Sequence, residues 1–189
     1  MTMPHTIIID GIWARPSRWE PLRRRIECAC GSAEIWRYNS TGCCTFEALG
    51  QLLVHRIRQL DQDVNLVGFS MGGLVARAAH LMDGEIPVRR TVFMNSPHAG
   101  SIMAYLLPLK GVRQMCPSSA FMKRIRSDRW DVPSLCVYNP LDTMVVPGSS
   151  TRSTDATESV CCKAPIHLWP IWSKAIHQRV VAFLKAGEN

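Results

Sequence analysis

One stretch near the middle of the chain most narrows what the chain can fold into. The apolar run Asn65-Leu-Val-Gly-Phe69 predicts a buried strand, and a helical pattern from Leu74 to Met82 follows almost at once. Between them, Gly68-Phe-Ser70-Met-Gly72 leaves room only for a sharp turn, in which glycines on both sides of the serine keep Cβ atoms from clashing. A buried strand that passes directly into a helix is typical of a parallel sheet with crossover helices.

The same alternation of apolar runs and helical patterns continues along the chain. It predicts an α/β fold, with a mostly parallel sheet flanked by helices, and the length of 189 residues suits a single domain over residues 1–189. The predicted strands are Thr6–Asp10, Ala33–Arg37, Asn65–Phe69, Arg90–Met94, Leu135–Tyr138 and a weaker Thr157–Cys162. The predicted helices are Trp19–Ile26, Phe46–Leu60, Leu74–Met82 and Trp172–Leu184.

The longest stretch without a periodic pattern is 96–134, which contains several Pro and Gly residues. A stretch of this length inside a compact domain is more often functional than decorative. The apolar residues between Ile102 and Leu109 favour a minimal lid or a substrate-binding segment. An extra packing helix without a gating role is the alternative.

The charge balance suggests anionic partners at first sight. The 22 Lys and Arg residues outnumber the 15 Asp and Glu residues, and a net charge of +7 attracts phosphates and anionic membrane surfaces. The densest cluster, Arg23-Arg24-Arg25, however, lies in a segment where Trp19, Leu22 and Ile26 follow helical spacing. We therefore predict a solvated helix face there and no nucleic-acid site. The absence of any run of 18 apolar residues excludes a transmembrane helix, so no stable membrane insertion is expected.

The N-terminus and the cysteines bear on the compartment. The first ten residues lack the basic start of a secretory signal and resemble a first strand, which favours the cytoplasm. Eight cysteines in such a chain are expected to be free thiols. The tight spacing of Cys28 with Cys30 and of Cys43 with Cys44 disfavours a structural zinc site. We predict neither a metal nor an organic cofactor.

Four segments resemble parts of a known family. Gly68-Phe-Ser-Met-Gly-Gly73 resembles the nucleophile elbow of α/β-hydrolase lipases and esterases, and Asp10-Gly-Ile-Trp13 resembles their oxyanion loop. Asn95-Ser-Pro-His-Ala-Gly-Ser101 is similar to the family's Pro-His and Gly-Ser segment, and Asn139–Pro147 to its acid loop. The resemblance implies a compact, lipase/esterase-like member of the α/β-hydrolase superfamily, with Ser70 as the nucleophile.

Chain order then indicates the acid and the base. Triads in this fold run Ser, then Asp or Glu, then His. Only two of the six histidines follow Asp142 in the chain. His167 lies in a loop after the last predicted strand, whereas His177 falls inside the closing helix, so His167 is predicted as the base and Asp142 as the residue that orients it. Asp155 and Glu158 are the reserve acids.

The oxyanion hole is expected from main-chain N–H groups, those of Met71 and Ile12. Trp13 and His98 are predicted to bind substrate, although a structural role for His98 stays open. The family's oxyanion loop usually has His where this chain has Asp10. An acidic residue there opposes the developing negative charge unless hydrogen bonds hold it.

The function expected from these residues is hydrolysis of small-molecule carboxylic esters through an acyl-enzyme intermediate. A thioesterase or an acyltransferase with the same triad is the first alternative. A hydrolase-like binding protein of weak activity is the second, and Asp10 in place of the family's usual His is the only observation that favours it. A nucleic-acid-binding module, suggested by the charge, is the third. The sequence indicates neither the acyl chain length nor the oligomeric state.

Overall fold

A computed structural model describes residues 3–186, so the two ends of the predicted 1–189 domain lie outside the described residues. The strands are β1 (His5–Ile9), β2 (Ala33–Ile35), β3 (Val64–Phe69), β4 (Val88–Met94), β5 (Ser134–Tyr138) and β6 (Glu158–Cys161). All strand pairs are parallel, and the six strands are arranged in the order β2-β1-β3-β4-β5-β6. This confirms the predicted fold class.

The helices cover both faces of the sheet. They are α1 (Glu20–Cys30), α2 (Phe46–Leu60), α3 (Met71–Met82), α4 (Lys110–Gln114), α5 (Ala120–Ser127), α6 (Trp169–Trp172) and α7 (Lys174–Lys185). Strand periodicity explains the division, because successive side chains point to opposite faces: Ile7 packs with α2 and α3, and Ile8 packs with α1 and α7. Buried residues of α5 join the α2 and α3 side.

The arginine cluster lies on the solvated face of α1, as predicted. Leu22 and Ile26 are fully buried, while Arg23 and Arg24 form ion pairs with Glu20 of the same helix. The predicted start at Trp19 is wrong, because a 3-10 turn over Pro16–Trp19 precedes the helix. The three arginines are therefore surface residues of an amphipathic helix.

Segment 96–134 is more regular than the sequence predicts. It holds a 3-10 helix (Ile102–Leu106) besides α4 and α5. The two expectations for the segment apply to different parts of it: residues 101–115 line a cavity, whereas α5 packs on the core through Phe121, which stacks on Phe46 with ring centroids 4.5 Å apart. The amphipathic pattern of α5 was missed because the helix is only eight residues long.

Helix length also bears on membranes. No helix within residues 3–186 combines the length and the apolar character needed to cross a bilayer.

Candidate active site

Ser70 occupies the sharp corner between β3 and α3. Its backbone has φ 52° and ψ −122°, a left-handed conformation that side-chain-bearing residues rarely adopt. The flanking glycines make the corner sterically feasible. A Cβ on Gly72 would overlap the carbonyl oxygen of Ile9, and a Cβ on Gly68 would lie 2.6 Å from the Cα of Gly73. The glycine spacing predicted from the sequence thus serves close backbone packing around a serine that lines two cavities.

Asp142 and His167 are in direct contact. The Nδ1 of His167 lies 2.6 Å from Oδ2 of Asp142, and both side chains are almost completely buried. Because a carboxylate can only accept, Nδ1–H donates and Nε2 is left as the basic nitrogen. The other carboxylate oxygen accepts from the backbone N–H groups of Met144 and Val145, each at 2.8 Å. The acid is therefore held from both sides.

A buried amide joins the loops that carry these two residues. Asn139, fully buried at the end of β5, donates from Nδ2 to the carbonyl of Ala164 at 2.6 Å. Thr143 adds a second link, since its hydroxyl donates to the carbonyl of Pro165 at 3.0 Å. The acid loop and the histidine loop therefore form one hydrogen-bonded unit, which fixes the separation between Asp142 and His167.

Ser70 and His167 share two connected cavities. A first cavity of about 280 Å³ lies under residues 101–115, and a second of about 440 Å³ extends towards Arg18 and Trp172. No hydrogen bond joins Ser70 to His167 in the described part of the chain; in ligand-free enzymes such contacts are often long and tighten only when substrate binds. A larger groove of about 610 Å³ along β6 and α7 contains none of the predicted site residues.

Two main-chain N–H groups at the site lack a protein acceptor among residues 3–186. In the loop after β1, Gly11 N donates to Asp10 Oδ1 and Trp13 N donates to the Ser40 carbonyl. The N–H of Ile12, between them, has no protein acceptor among the described residues. Met71 N begins α3, where the first amides lack intrahelical partners. Both groups suit the predicted oxyanion hole, and the positive end of the α3 dipole adds to their effect.

Asp10 is fully buried and its charge is balanced. Its carboxylate accepts two hydrogen bonds from the Arg18 guanidinium, at 2.5 and 3.0 Å, and two from the backbone N–H groups of Gly11 and Arg15. The Tyr38 hydroxyl donates to the Asp10 carbonyl at 2.6 Å. Burial, followed by the Asp10 charge, raises the pKa of Tyr38 well above its usual range, so this hydroxyl remains a donor. Asp10 thus shapes the oxyanion loop and carries no uncompensated charge.

Of the two residues predicted to bind substrate, Trp13 lines the cavities and His98 does not. Trp13 lines both cavities and is 56% exposed, which places it at their mouth. His98 lies outside both cavities, so its predicted contact with substrate is corrected. It is 6% exposed, and its ring packs edge-on against Phe93. Burial, assisted by the nearby Arg77 charge, lowers the pKa of His98 to about 3, so the ring is a neutral packing residue.

Asn95 is the residue that the sequence prediction missed. It is fully buried directly after β4, in a left-handed conformation with φ 48°. Its Nδ2 donates to the main-chain carbonyl of His167 at 2.8 Å, and its own N–H donates to the Val137 carbonyl at 2.9 Å. Asparagine is one of the few residues that tolerates this conformation. That preference, at the end of a predicted strand, is the only sequence signal that could have found it.

The alternative acids, Asp155 and Glu158, and the alternative base, His177, lie outside the two cavities. Asp155 faces the buried Arg77, with 3.7 Å between their charged atoms, and Glu158 pairs with Arg179 on the surface. His177 is buried on α7 and lines neither cavity; burial lowers its pKa. The structure therefore brings together the three residues predicted as a triad and none of the alternatives.

The structure describes no donor set for a metal. Within residues 3–186 no group of three or more His, Cys, Asp or Glu side chains is arranged to hold an ion, and no disulfide joins the cysteines.

The comparisons with known proteins agree with the fold. The alpha/beta hydrolase family matches residues 7–182, which is nearly the whole chain. The chain belongs to the α/β-hydrolases. No curated protein sequence matches it.

Three of the solved structures that are similar to this α/β-hydrolase are informative. The mature Bacillus licheniformis lipase BlEst2 is 16% identical, with a TM-score of 0.76 over 95% of this chain and 92% of that one. The Paleococcus ferrophilus monoacylglycerol lipase is 17% identical, with a TM-score of 0.75 over 98% and 96%. The Mycobacterium tuberculosis protein BpoC, whose name describes a non-heme bromoperoxidase, is 15% identical, with a TM-score of 0.73 over 98% of this chain and 93% of that one. At these identities the likenesses show the fold alone.

Asn95 gives a first testable prediction for this hydrolase. We expect Asn95→Gly and Asn95→Ala to lower kcat by about ten- to a hundredfold with little change in KM, because both release the His167 backbone and misplace its ring. Only the alanine must hold a Cβ at φ 48°, so its free energy of unfolding should fall by about 1 to 2 kcal/mol more. Steady-state kinetics and thermal unfolding of both variants separate the two effects. A glycine variant with wild-type kcat would remove Asn95 from the positioning role.

Proposed function

We propose that this α/β-hydrolase cleaves carboxylic esters of small molecules through an acyl-enzyme intermediate. The observation that carries the proposal is the placement of Ser70 on a strained corner, in a cavity that also contains His167, whose Nδ1 lies 2.6 Å from Asp142. Each group has the chemistry its role needs, namely a hydroxyl in the cavity, a basic nitrogen and an orienting carboxylate.

The proposed reaction follows from these positions. Nε2 of His167 takes the proton of the Ser70 hydroxyl while Oγ attacks the ester carbonyl carbon. The N–H groups of Ile12 and Met71 hold the resulting oxyanion. When the intermediate collapses, the carbon–oxygen bond to the alcohol breaks, and the imidazolium returns its proton to the leaving alcohol. Water then repeats the sequence on the acyl-enzyme, which releases the acid and restores Ser70.

The surroundings of the base support this use. The His167 ring packs against Phe69 with centroids 5.0 Å apart, and the walls of the first cavity are mostly apolar. In such a site few waters compete with the main-chain donors, so the hydrogen bonds to the oxyanion are stronger than in bulk solvent. The apolar walls also suit an acyl chain.

The two alternative enzymes, a thioesterase and an acyltransferase, use the same acyl-enzyme intermediate. They differ in the leaving group or in the molecule that accepts the acyl group. A thioesterase would release a thiol, and an acyltransferase must keep water away from the intermediate. The cavity mouth is open, since Leu106 is 70% exposed and Trp13 is 56% exposed, which favours water as the acceptor. Both neighbours that are named lipases support an oxygen ester as substrate. Because Arg18 neutralises Asp10, the observation that favoured an inactive binding protein no longer does so.

The acyl chain gives the second prediction, which also tests the proposed function. We expect short and medium acyl chains to be hydrolysed in preference to long triglycerides, because only residues 101–115 cover the first cavity and no separate lid domain is present in the described residues. A panel of p-nitrophenyl esters of increasing length, with Ser70→Ala as the blank and a matched thioester beside one member, measures kcat/KM for each.

Two results of that panel would contradict the account. One is a kcat/KM that keeps rising into long chains; the other is a sharp rise in rate when an uncharged soluble ester first forms droplets, whose surface carries no anionic headgroups. No Ser70-dependent hydrolysis of any ester or thioester would contradict the proposed function itself. The cytoplasmic location, the absence of nucleic-acid binding and the absence of a cofactor stay predictions.

A further inference from the structure

Exposed apolar side chains are concentrated around the mouth of the active site. Of thirteen large hydrophobic side chains that are exposed in the described part of the chain, six line the two cavities that contain Ser70. Such concentration is uncommon on a soluble protein and marks an interaction surface. We call these six residues the rim: Trp13, Met103, Leu106, Leu107, Met144 and Trp172.

The exposed charged side chains next to the rim are all positive. Arg15 follows Trp13, Lys110 and Arg113 belong to α4 beside the first cavity, and Lys174 begins α7 two residues after Trp172. All four side chains are exposed, and none has an acidic partner within residues 3–186. The segments that carry the rim, 11–19, 96–127, 143–154 and 162–187, contain no Asp or Glu.

What distinguishes this face is that unpaired positive charge lies beside exposed apolar side chains. Elsewhere some exposed arginines are matched, as Arg58 is with Asp83 and Arg179 with Glu158, whereas Arg25 and Arg37 have no acidic partner within residues 3–186. An apolar rim with unmatched positive charges needs a partner that is both apolar and anionic. A second copy of this chain would bring a second positive rim against the first, so self-association through this face is electrostatically opposed.

We propose that the rim docks this hydrolase peripherally on an anionic lipid surface. Tryptophans prefer the depth of the lipid headgroups, where an apolar ring and a polar N–H are both satisfied, and Trp13 and Trp172 lie at the edges of the active-site mouth. The four basic residues face the anionic headgroups beside them. In this orientation both cavities open towards the bilayer, so an ester in the leaflet that the protein contacts reaches Ser70 without crossing bulk water. That consequence rests on the proposed function, whereas docking itself does not.

The test measures binding without catalysis. Full-length Ser70→Ala protein is mixed with vesicles of pure phosphatidylcholine, or of phosphatidylcholine with about one third phosphatidylglycerol, and bound protein is separated by sedimentation. We expect at least tenfold stronger partition to the anionic vesicles at low salt, a blue shift of the tryptophan fluorescence, and loss of the preference as salt screens the charges.

Matched variants locate the contact. Lys174→Gln and Lys185→Gln alter the two ends of the same helix, α7, and only Lys174 lies next to the rim. Each basic residue near an anionic surface raises partition about fivefold, so Lys174→Gln should lower binding by that factor and Lys185→Gln should not. Leu106→Ser should weaken binding to both vesicle types, whereas Leu52→Ser, an equally apolar change on the exposed side of α2, should leave it unchanged.

Several outcomes would overturn the proposal. They are no partition to either vesicle, equal partition to neutral and anionic vesicles, or equal effects of the Lys174 and Lys185 variants. Absence of vesicle binding would leave an acidic protein as the occupant of the rim. Because a short soluble ester is assayed separately with wild-type protein, failure to dock and failure to hydrolyse are distinguishable results.

Discussion

Replacement of Ser70 with alanine is expected to leave the fold intact and to lower ester turnover by about 10⁶-fold, the usual cost of removing the nucleophile of a triad. The structural reason is that the Ser70 side chain makes no hydrogen bond to another described residue, while its hydroxyl opens into both cavities. The backbone strain at φ 52° is present in both proteins. Removal of the Ser70 hydroxyl should therefore abolish activity and change the free energy of unfolding little.

Rates of p-nitrophenyl ester hydrolysis, with circular dichroism and thermal unfolding as controls, measure this prediction. An unfolding temperature close to that of the wild type would establish that the variant is folded. A folded variant that retains a tenth of the wild-type rate would exclude Ser70 as the nucleophile. That result would leave the fold and the family unchanged, because neither depends on the side chain of Ser70.

Replacement of the two C-terminal histidines should have opposite results. We expect His167→Ala to lower turnover by about 10⁴-fold or more, because it removes the basic nitrogen from the cavity that contains Ser70, and Asp142→Asn to cost about 10⁴-fold by disturbing the tautomer. His177→Ala should stay within a few-fold of wild type. It is buried on α7, outside both cavities, so its loss affects packing.

Steady-state kinetics below the unfolding temperature of each variant measures these effects. Added imidazole provides a further control: it should restore part of the activity of His167→Ala, since the cavity mouth is open, and none of any activity lost in His177→Ala. An inactive but folded His177→Ala beside an active His167→Ala would overturn the assignment of the base.

Much of the fold was predictable because its signals are local. The buried strands have apolar, β-branched runs, and α2 keeps a regular apolar face from Phe46 to Leu60, so periodicity identified both kinds of element. The tight corner at Ser70 has a local glycine signal, and a Cβ on Gly68 would lie 2.6 Å from the Cα of Gly73 in the same turn. The short helices α4 and α6 were missed because four or five residues do not establish a period.

The parts of the site that were not predicted depend on contacts between distant segments. The sequence shows an acidic residue at Asp10, but not that Arg18, eight positions later, neutralises it. In the segment after β4 the prediction assigned His98 to the substrate and passed over Asn95, although Asn95 is the one that contacts the histidine loop. A sequence pattern gives the residues that follow a strand but not the direction of their side chains, which the neighbouring loops determine.

The central claim is that Ser70 is a nucleophile activated by His167, and covalent labelling tests it most directly. Wild-type protein is treated with a fluorophosphonate, digested, and mapped by mass spectrometry, with His167→Ala and His177→Ala treated in parallel. The account predicts one modified residue, Ser70, with labelling that persists in His177→Ala and is lost in His167→Ala. An unlabelled Ser70 in the folded wild-type protein, or a label on a different serine, would contradict it.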